Sequence, residues 1–171
     1  MPALLKPAPA WTTTQWFNTP EDLSLEALKG RAVVLYGFQM LCPGCVAHAL
    51  PQAQRVHDTF AGDKLAVIGL HSVFEHHSAN SPETLAAFIH ENRLSFPVGI
   101  DAPTPGRDIP RTMEAYAMRG TPTVVLIDAE GRLRQQIFGH VPDLQLGAAI
   151  AGLIAGEAPN AERAAGAVCT V

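Results

Sequence analysis

The chain has 171 residues, 47% of them hydrophobic and 16% charged, with a formal net charge of −4. That length and composition suit one domain with a full core and do not fit a disordered chain. No run of Lys and Arg makes the positive footprint that a phosphate backbone requires, and no segment approaches the ~18 consecutive apolar residues of a membrane span. The expectation is therefore a chain with no nucleic-acid partner and no membrane span.

The opening "MPALLKPAPAW" carries three prolines and lacks the apolar stretch of a signal peptide. Residues 1–15 read as an N-terminal arm of a cytoplasmic protein; a leader lost ahead of Met1 would make it an exported one. "TQWFNT" suits a short edge strand, and "PEDLSLEALKG" a loop or turn carrying Leu23, Leu25 and Leu28 into Gly30. "RAVVLYGF", from Arg31 to Phe38, is apolar on both faces, as in a buried central strand of a parallel sheet. From Cys45 to Phe60, Val46, Ala49, Leu50, Ala53, Val56 and Phe60 recur at helical spacing, with Gly62 as a stop. Pro51 inside that run predicts a kink, because it removes a backbone donor. "KLAVIGL" is a second apolar strand, so the three elements form a βαβ unit with parallel strands and a right-handed crossover.

A helix over "SPETLAAFIHENR" follows, with Ser81 as N-cap, Pro82 at the first helical position and Leu85, Phe88 and Ile89 as its buried stripe. "SFPVGID" is a short strand, "APTPGRDIP" a loop and "RTMEAYAM" a short helix. "TPTVVLIDAEGRLRQQIFG" reads as a hairpin turning at "DAEG", with Gly131 able to take positive φ. An apolar helix over "DLQLGAAIAGLIAG" closes the domain at residue 156, leaving 157–171 as a tail that holds Cys169. This order predicts an α/β sandwich, a mixed sheet with helices on both faces.

Three cysteines, Cys42, Cys45 and Cys169, make no disulfide framework for a fold of this size. Cys42 and Cys45 bracket Pro43 and Gly44 at the start of a predicted helix. Unsatisfied backbone donors and the helix dipole favour a thiolate there, which makes Cys42 the natural nucleophile. Cys45, one turn further in and more shielded, is placed to attack a mixed disulfide on Cys42. The spacing alone leaves two inert thiols open. A structural zinc site needs four ligands, and the sequence has no second such pair.

"VVLYGFQMLCPGC", "YAMRGTPTVVLIDAEGR" and the order of elements together resemble the thioredoxin-fold superfamily, in particular the TlpA-like thiol-disulfide oxidoreductases and the AhpC/TSA-related redoxins. The resemblance spans roughly Trp16 to Ile154. It implies a thioredoxin-like three-layer sandwich over residues 16–156 and a redox-active Cys42–Cys45 disulfide with no other cofactor. It further implies Cys42 as attacking and Cys45 as resolving residue, and Pro122 as a cis-proline beside them. The Thr121 backbone would pair with an extended substrate, and Leu41, Pro43 and Gly44 would complete the contact surface. The implied partners are a disulfide-bearing protein or small thiol and an unidentified electron donor, met by a monomer or weak dimer.

The sequence departs from the family pattern at several places. Leu41 stands where a tryptophan is usual, Tyr36 about where a buried aspartate would be, and His48 where TlpA-like proteins often carry glutamate. Pro51 falls one residue later than usual. These departures leave the proton-transfer partner open; His48, three residues past Cys45, is a candidate acceptor for the Cys45 proton, the alternative being a helix-surface histidine. Peroxiredoxins carry Thr or Ser three residues before the peroxidatic cysteine, and here that place is Gln39 for Cys42, so a thiol peroxidase is a secondary reading.

"LHSVFEHHSANSPE" places His71, Glu75, His76 and His77 after the second strand, on the side of the sheet where the cysteines lie. Thiolate plus imidazole suits copper(I), so a Sco-like copper chaperone using Cys42, Cys45, His71 and His76 is the alternative to disulfide reduction. His57, His90 and His140 read as ordinary surface residues.

Overall fold

The computed structural model describes residues 6–156; residues 1–5, and the tail from 157 with Cys169, lie outside the described residues. Six strands form one mixed sheet in the order β1-β4-β3-β2-β5-β6. β2 (Ala32–Phe38) and β3 (Leu65–His71) are buried along their whole length, as their uninterrupted apolar runs require. β2 runs parallel to β3, and β3 parallel to β4 (Val98–Asp101). β1 (Thr13–Phe17) caps the β4 edge antiparallel, while β5 (Thr123–Ile127) and β6 (Leu133–Phe138) close the other side as the antiparallel hairpin.

Alternation along β2 sends its side chains into two cores. Ala32, Val34, Tyr36 and Phe38 face a cluster with residues of α1 (Leu50–Phe60), α2 (Pro82–Glu91) and α4 (Asp143–Ala155). Val33 and Leu35 face the opposite cluster, which is filled by Trp11, Leu28, and Met113 and Tyr116 from α3 (Arg111–Ala115) and its end. Gly69 lets the first core close, because a Cβ there would sit 2.9 Å from a Phe96 ring carbon. Ser81 caps α2 by accepting from the Thr84 amide at 3.2 Å.

The helix that follows the cysteines departs from the single kinked helix that its spacing predicts. Cys45–Ala49 form a π turn, in which the Leu50 amide reaches the Cys45 carbonyl, and α1 proper begins at Leu50. In a regular α-helix the Pro51 ring would press on the Ala47 carbonyl. The wider i→i+5 turn relieves that contact. Val46 consequently leaves the apolar stripe and is exposed.

From Lys6 onward the arm is held by the hairpin and by Tyr116. Leu133 donates to the Lys6 carbonyl at 2.9 Å, Ala8 to that of Gly131 at 2.9 Å, and the Tyr116 hydroxyl to that of Pro9 at 2.6 Å. The turn itself is built on Asp128, 3% exposed, with Gly131 at φ +79°. The Asp128 carboxylate accepts from the amides of Glu130 and Arg132 and from the guanidinium groups of Arg132 and Arg134. Burial pushes this carboxyl up, but the hydrogen bonds from Arg132 and Arg134 outweigh it and hold it below the usual carboxylate range.

A depressed folded value means that Asp128 stabilises the fold fully above the unfolded carboxylate value of about 3.9, and that this is lost as pH falls through the folded one. Asp128→Ala is expected to cost about 1–3 kcal/mol, read from urea unfolding. The difference from the parent should hold from neutral pH to pH ~5 and shrink below about pH 4; a difference that persists unchanged into strong acid would contradict this role.

Candidate active site

At its C-terminal end β2 delivers Gln39 and Met40, both buried, and the chain then emerges at Leu41, 52% exposed. The Cys42 amide donates to the Gln39 carbonyl at 3.1 Å, and the Val46 amide to that of Cys42 at 3.0 Å. Cys42 is half-buried and Cys45 fully buried, and both are free thiols. Cys42 Sγ accepts from the Cys45 amide at 3.3 Å and donates to the Thr121 carbonyl at 3.5 Å. Burial, and next the hydrogen bond with Cys42, push the Cys45 thiol up from its ordinary range. One turn of chain thus holds an accessible sulfur with an amide donor and a shielded sulfur that keeps its proton.

The second wall of the site is the segment 120–122. The Thr121–Pro122 peptide is cis. The Pro122 carbonyl accepts from Gly139 at 2.8 Å, and the Thr123 hydroxyl donates to the Gly120 carbonyl at 2.7 Å. Pro122 adjoins Gly44: a Cβ on Gly44 would lie 3.5 Å from its Cδ, an ordinary van der Waals contact. Thr123 pairs with Gly37 on one side and with Phe138 on the other, so the ends of β2 and β6 share one edge. Phe138, 51% exposed, packs against Gly120 and lies under Arg119 at 5.6 Å. The structure thus brings Cys42, Cys45, Gly44, Thr121 and Pro122 together, with Leu41 and Pro43 exposed beside them.

The histidines are arranged differently from the sequence expectation. His48 is exposed in the π turn, its ring 5.2 Å from that of His140, and no hydrogen bond joins it to Cys45. His71 lies inside the fold, 1% exposed, its ring 5.3 Å from that of Phe38. Burial draws its imidazole down to about 4, with the neighbouring Asn80 opposing in lesser part, so it is neutral near pH 7. His76 is exposed, and among the described residues no three His, Cys, Asp or Glu side chains gather as a metal site. The copper set of Cys42, Cys45, His71 and His76 is therefore not assembled, because the last residue of β3 points into the core.

A polar link that the sequence reading passed over lies beneath the cysteine turn. The buried Tyr36 hydroxyl donates to Gln52 Oε1 at 3.3 Å, and Gln52 Nε2 donates to the Val141 carbonyl and to Asp143 Oδ1, each at 2.7 Å. Arg55 forks onto the same carboxylate. The signal was present: Gln52 is a polar residue within the face that Ala49, Ala53 and Val56 make apolar. A surface cleft of about 220 Å³ between α1 and α4 is lined by Gln52, Arg55, Thr59 and Asp143 and contains neither cysteine.

The AhpC/TSA family pattern matches residues 4–136. This chain belongs to the AhpC/TSA family. A solved thioredoxin-like superfamily protein is 53% identical to this family member, with a TM-score of 0.86 over 90% of this chain and 99% of that one. A thiol-disulfide isomerase from Corynebacterium glutamicum is 48% identical, with a TM-score of 0.82 over 86% and 96% of the two chains. StoA from Bacillus subtilis is 26% identical, with a TM-score of 0.60 over 77% and 93%. None of the curated proteins matches this AhpC/TSA member. The fold of the family member is thioredoxin-like, and no helix among its described residues is long and apolar enough to cross a membrane.

The depressed imidazole of His71 has a consequence for acid stability. Between the unfolded histidine value of about 6.5 and the folded value of about 4, the unfolded chain gains a proton that the native one refuses, so stability falls across that window. His71→Phe is expected to flatten the decline in melting temperature between these two values; an unchanged decline would place its cause elsewhere.

Proposed function

We propose that this protein is a thiol-disulfide oxidoreductase that reduces disulfides of proteins or small molecules through the Cys42–Cys45 dithiol. The observation that carries the reading is the asymmetry of the pair: an accessible Cys42 sulfur that takes the Cys45 amide, beside a buried Cys45 thiol. Cys42 as thiolate attacks one sulfur of the substrate disulfide, forming a mixed disulfide and releasing the other sulfur as a thiol after it takes up a proton. Cys45 then gives up its proton and attacks the Cys42 sulfur. The mixed disulfide breaks, the second substrate thiol leaves, and the Cys42–Cys45 disulfide forms. An external dithiol donor returns both sulfurs to the reduced state by the reverse exchange.

In this reading Thr121 and Pro122 form the backbone edge along which an extended substrate lies, and Leu41, Pro43, Gly44 and Phe138 give it an apolar surface. Exposed apolar groups grouped around a reactive sulfur suit an unfolded or extended polypeptide better than a strongly charged small molecule. The proton acceptor for Cys45 is not assigned to His48, whose ring turns to His140. The peroxide-linked reading has Gln39 in place of the hydroxyl residue, with its side chain buried and its Oε1 lacking a hydrogen-bond partner. Reduction therefore stands as the main activity.

Single cysteine variants separate the two roles. Incubated with an oxidised protein substrate, Cys45→Ser is expected to accumulate a mixed disulfide through Cys42, visible as a covalent adduct by mass spectrometry. Cys42→Ser should give none and should lose turnover in an insulin-reduction assay by at least about 10²-fold, as expected when the nucleophile itself is removed. Adducts forming equally through both cysteines, or activity surviving in Cys42→Ser, would overturn the assignment.

A further inference from the structure

His48 and His140 come from different elements and meet beside the cysteine turn. His48 stands in the π turn, three residues past Cys45; His140 follows Gly139, whose amide holds the Pro122 carbonyl. The ring centroids lie 5.2 Å apart, with the planes inclined by 46°. Both side chains are exposed, and no hydrogen bond to the described residues ties up either ring.

That separation lies within ordinary ring packing, about 4.5–7 Å, and is also short enough for both rings to reach one ion. Tetrahedral zinc takes imidazole nitrogens at about 2.0–2.1 Å, and with each nitrogen about 1.1 Å from its ring centre, two such rings stand roughly 5.2 Å apart. We propose that His48 and His140 form a two-imidazole site for a divalent transition-metal ion of the zinc, copper and nickel class, with solvent completing the shell.

Asp143 is the acidic group that faces His140, and its charge favours a cation there. It is not a third ligand: Oδ1 accepts from Gln52, both oxygens accept from Arg55, and the guanidinium offsets part of the charge. With two imidazoles as its protein ligands the site is open to exchange and of moderate affinity. An ion bound there bridges the turn that carries the cysteines and the loop after β6 that is hydrogen-bonded to Pro122. This proposal does not rest on the dithiol reaction and stands or falls apart from it.

Zinc chloride titrated calorimetrically into the full chain carrying Cys42→Ser, Cys45→Ser and Cys169→Ser tests it with competing thiolates removed. The expected result is one ion per chain at micromolar affinity, weakened at least roughly tenfold by either His48→Ala or His140→Ala and unchanged by His90→Ala. Circular dichroism follows folding of each variant. Independently of any histidine variant, the ring resonances of His48 and His140 should shift together as zinc is added. Equal affinity in all folded variants overturns the site, as does the absence of both heat and ring shifts at millimolar zinc.

Discussion

One row of backbone pairing holds the site together. Gly37 near the end of β2 pairs with Thr123 at the start of β5, and Thr123 pairs with Phe138 at the end of β6. Because β5 runs antiparallel to β2, the chain leaving one strand and the chain entering the other meet at the same edge. Cys42 and Thr121 thereby come into contact although 79 positions separate them in sequence. Gly37 is small for a packing reason, since a Cβ there would lie 2.9 Å from the Met118 sulfur. A slip of one residue in this row would exchange the β5 side chains between two cores with different packing partners, and that packing opposes the slip.

The chemistry of the pair follows from a gradient of environment across one turn. Cys42 stands where the strand has ended and the helix has not closed its hydrogen bonds, so an amide is available to its sulfur. Cys45 is inside the core, where a charged sulfur is disfavoured. The π turn belongs to the same arrangement: it lets Pro51 enter the helix without breaking it, and it swings the residue three places past Cys45 toward the loop after β6 rather than over the sulfur. Below it, the buried Tyr36 and Gln52 and the exposed Asp143 tie β2, α1 and α4 together by hydrogen bonds that leave neither buried group without a partner.

The strands, the helices and the cysteine pair were legible because each depends on local pattern. The apolar runs of β2 and β3 announce burial on both faces, Ser81-Pro82 announces a helix start, and the "DAEG" turn announces the hairpin. What depends on the exact rotation of a side chain was not legible. The π turn before Pro51 changes the course of the helix and moves both Val46 and His48 off the faces that a period of 3.6 assigns. His71 read as the first residue of a loop, yet the strand continues through it and the alternation turns it inward beside Phe38. The contact of His48 with His140 joins elements far apart in the chain, and no spacing rule reports it.

In the proposed reading Cys42 and Cys45 exchange between dithiol and disulfide as one two-electron couple. The direct measurement is equilibration of the metal-free protein, with Cys169 replaced by serine, against graded dithiothreitol or glutathione buffers, with the oxidised fraction read by thiol alkylation and mass. A disulfide reductase of this kind should titrate as a single reversible two-electron transition near the thioredoxin value of about −270 mV. Failure of the pair to form an intramolecular disulfide at any poise would rule out such an exchange.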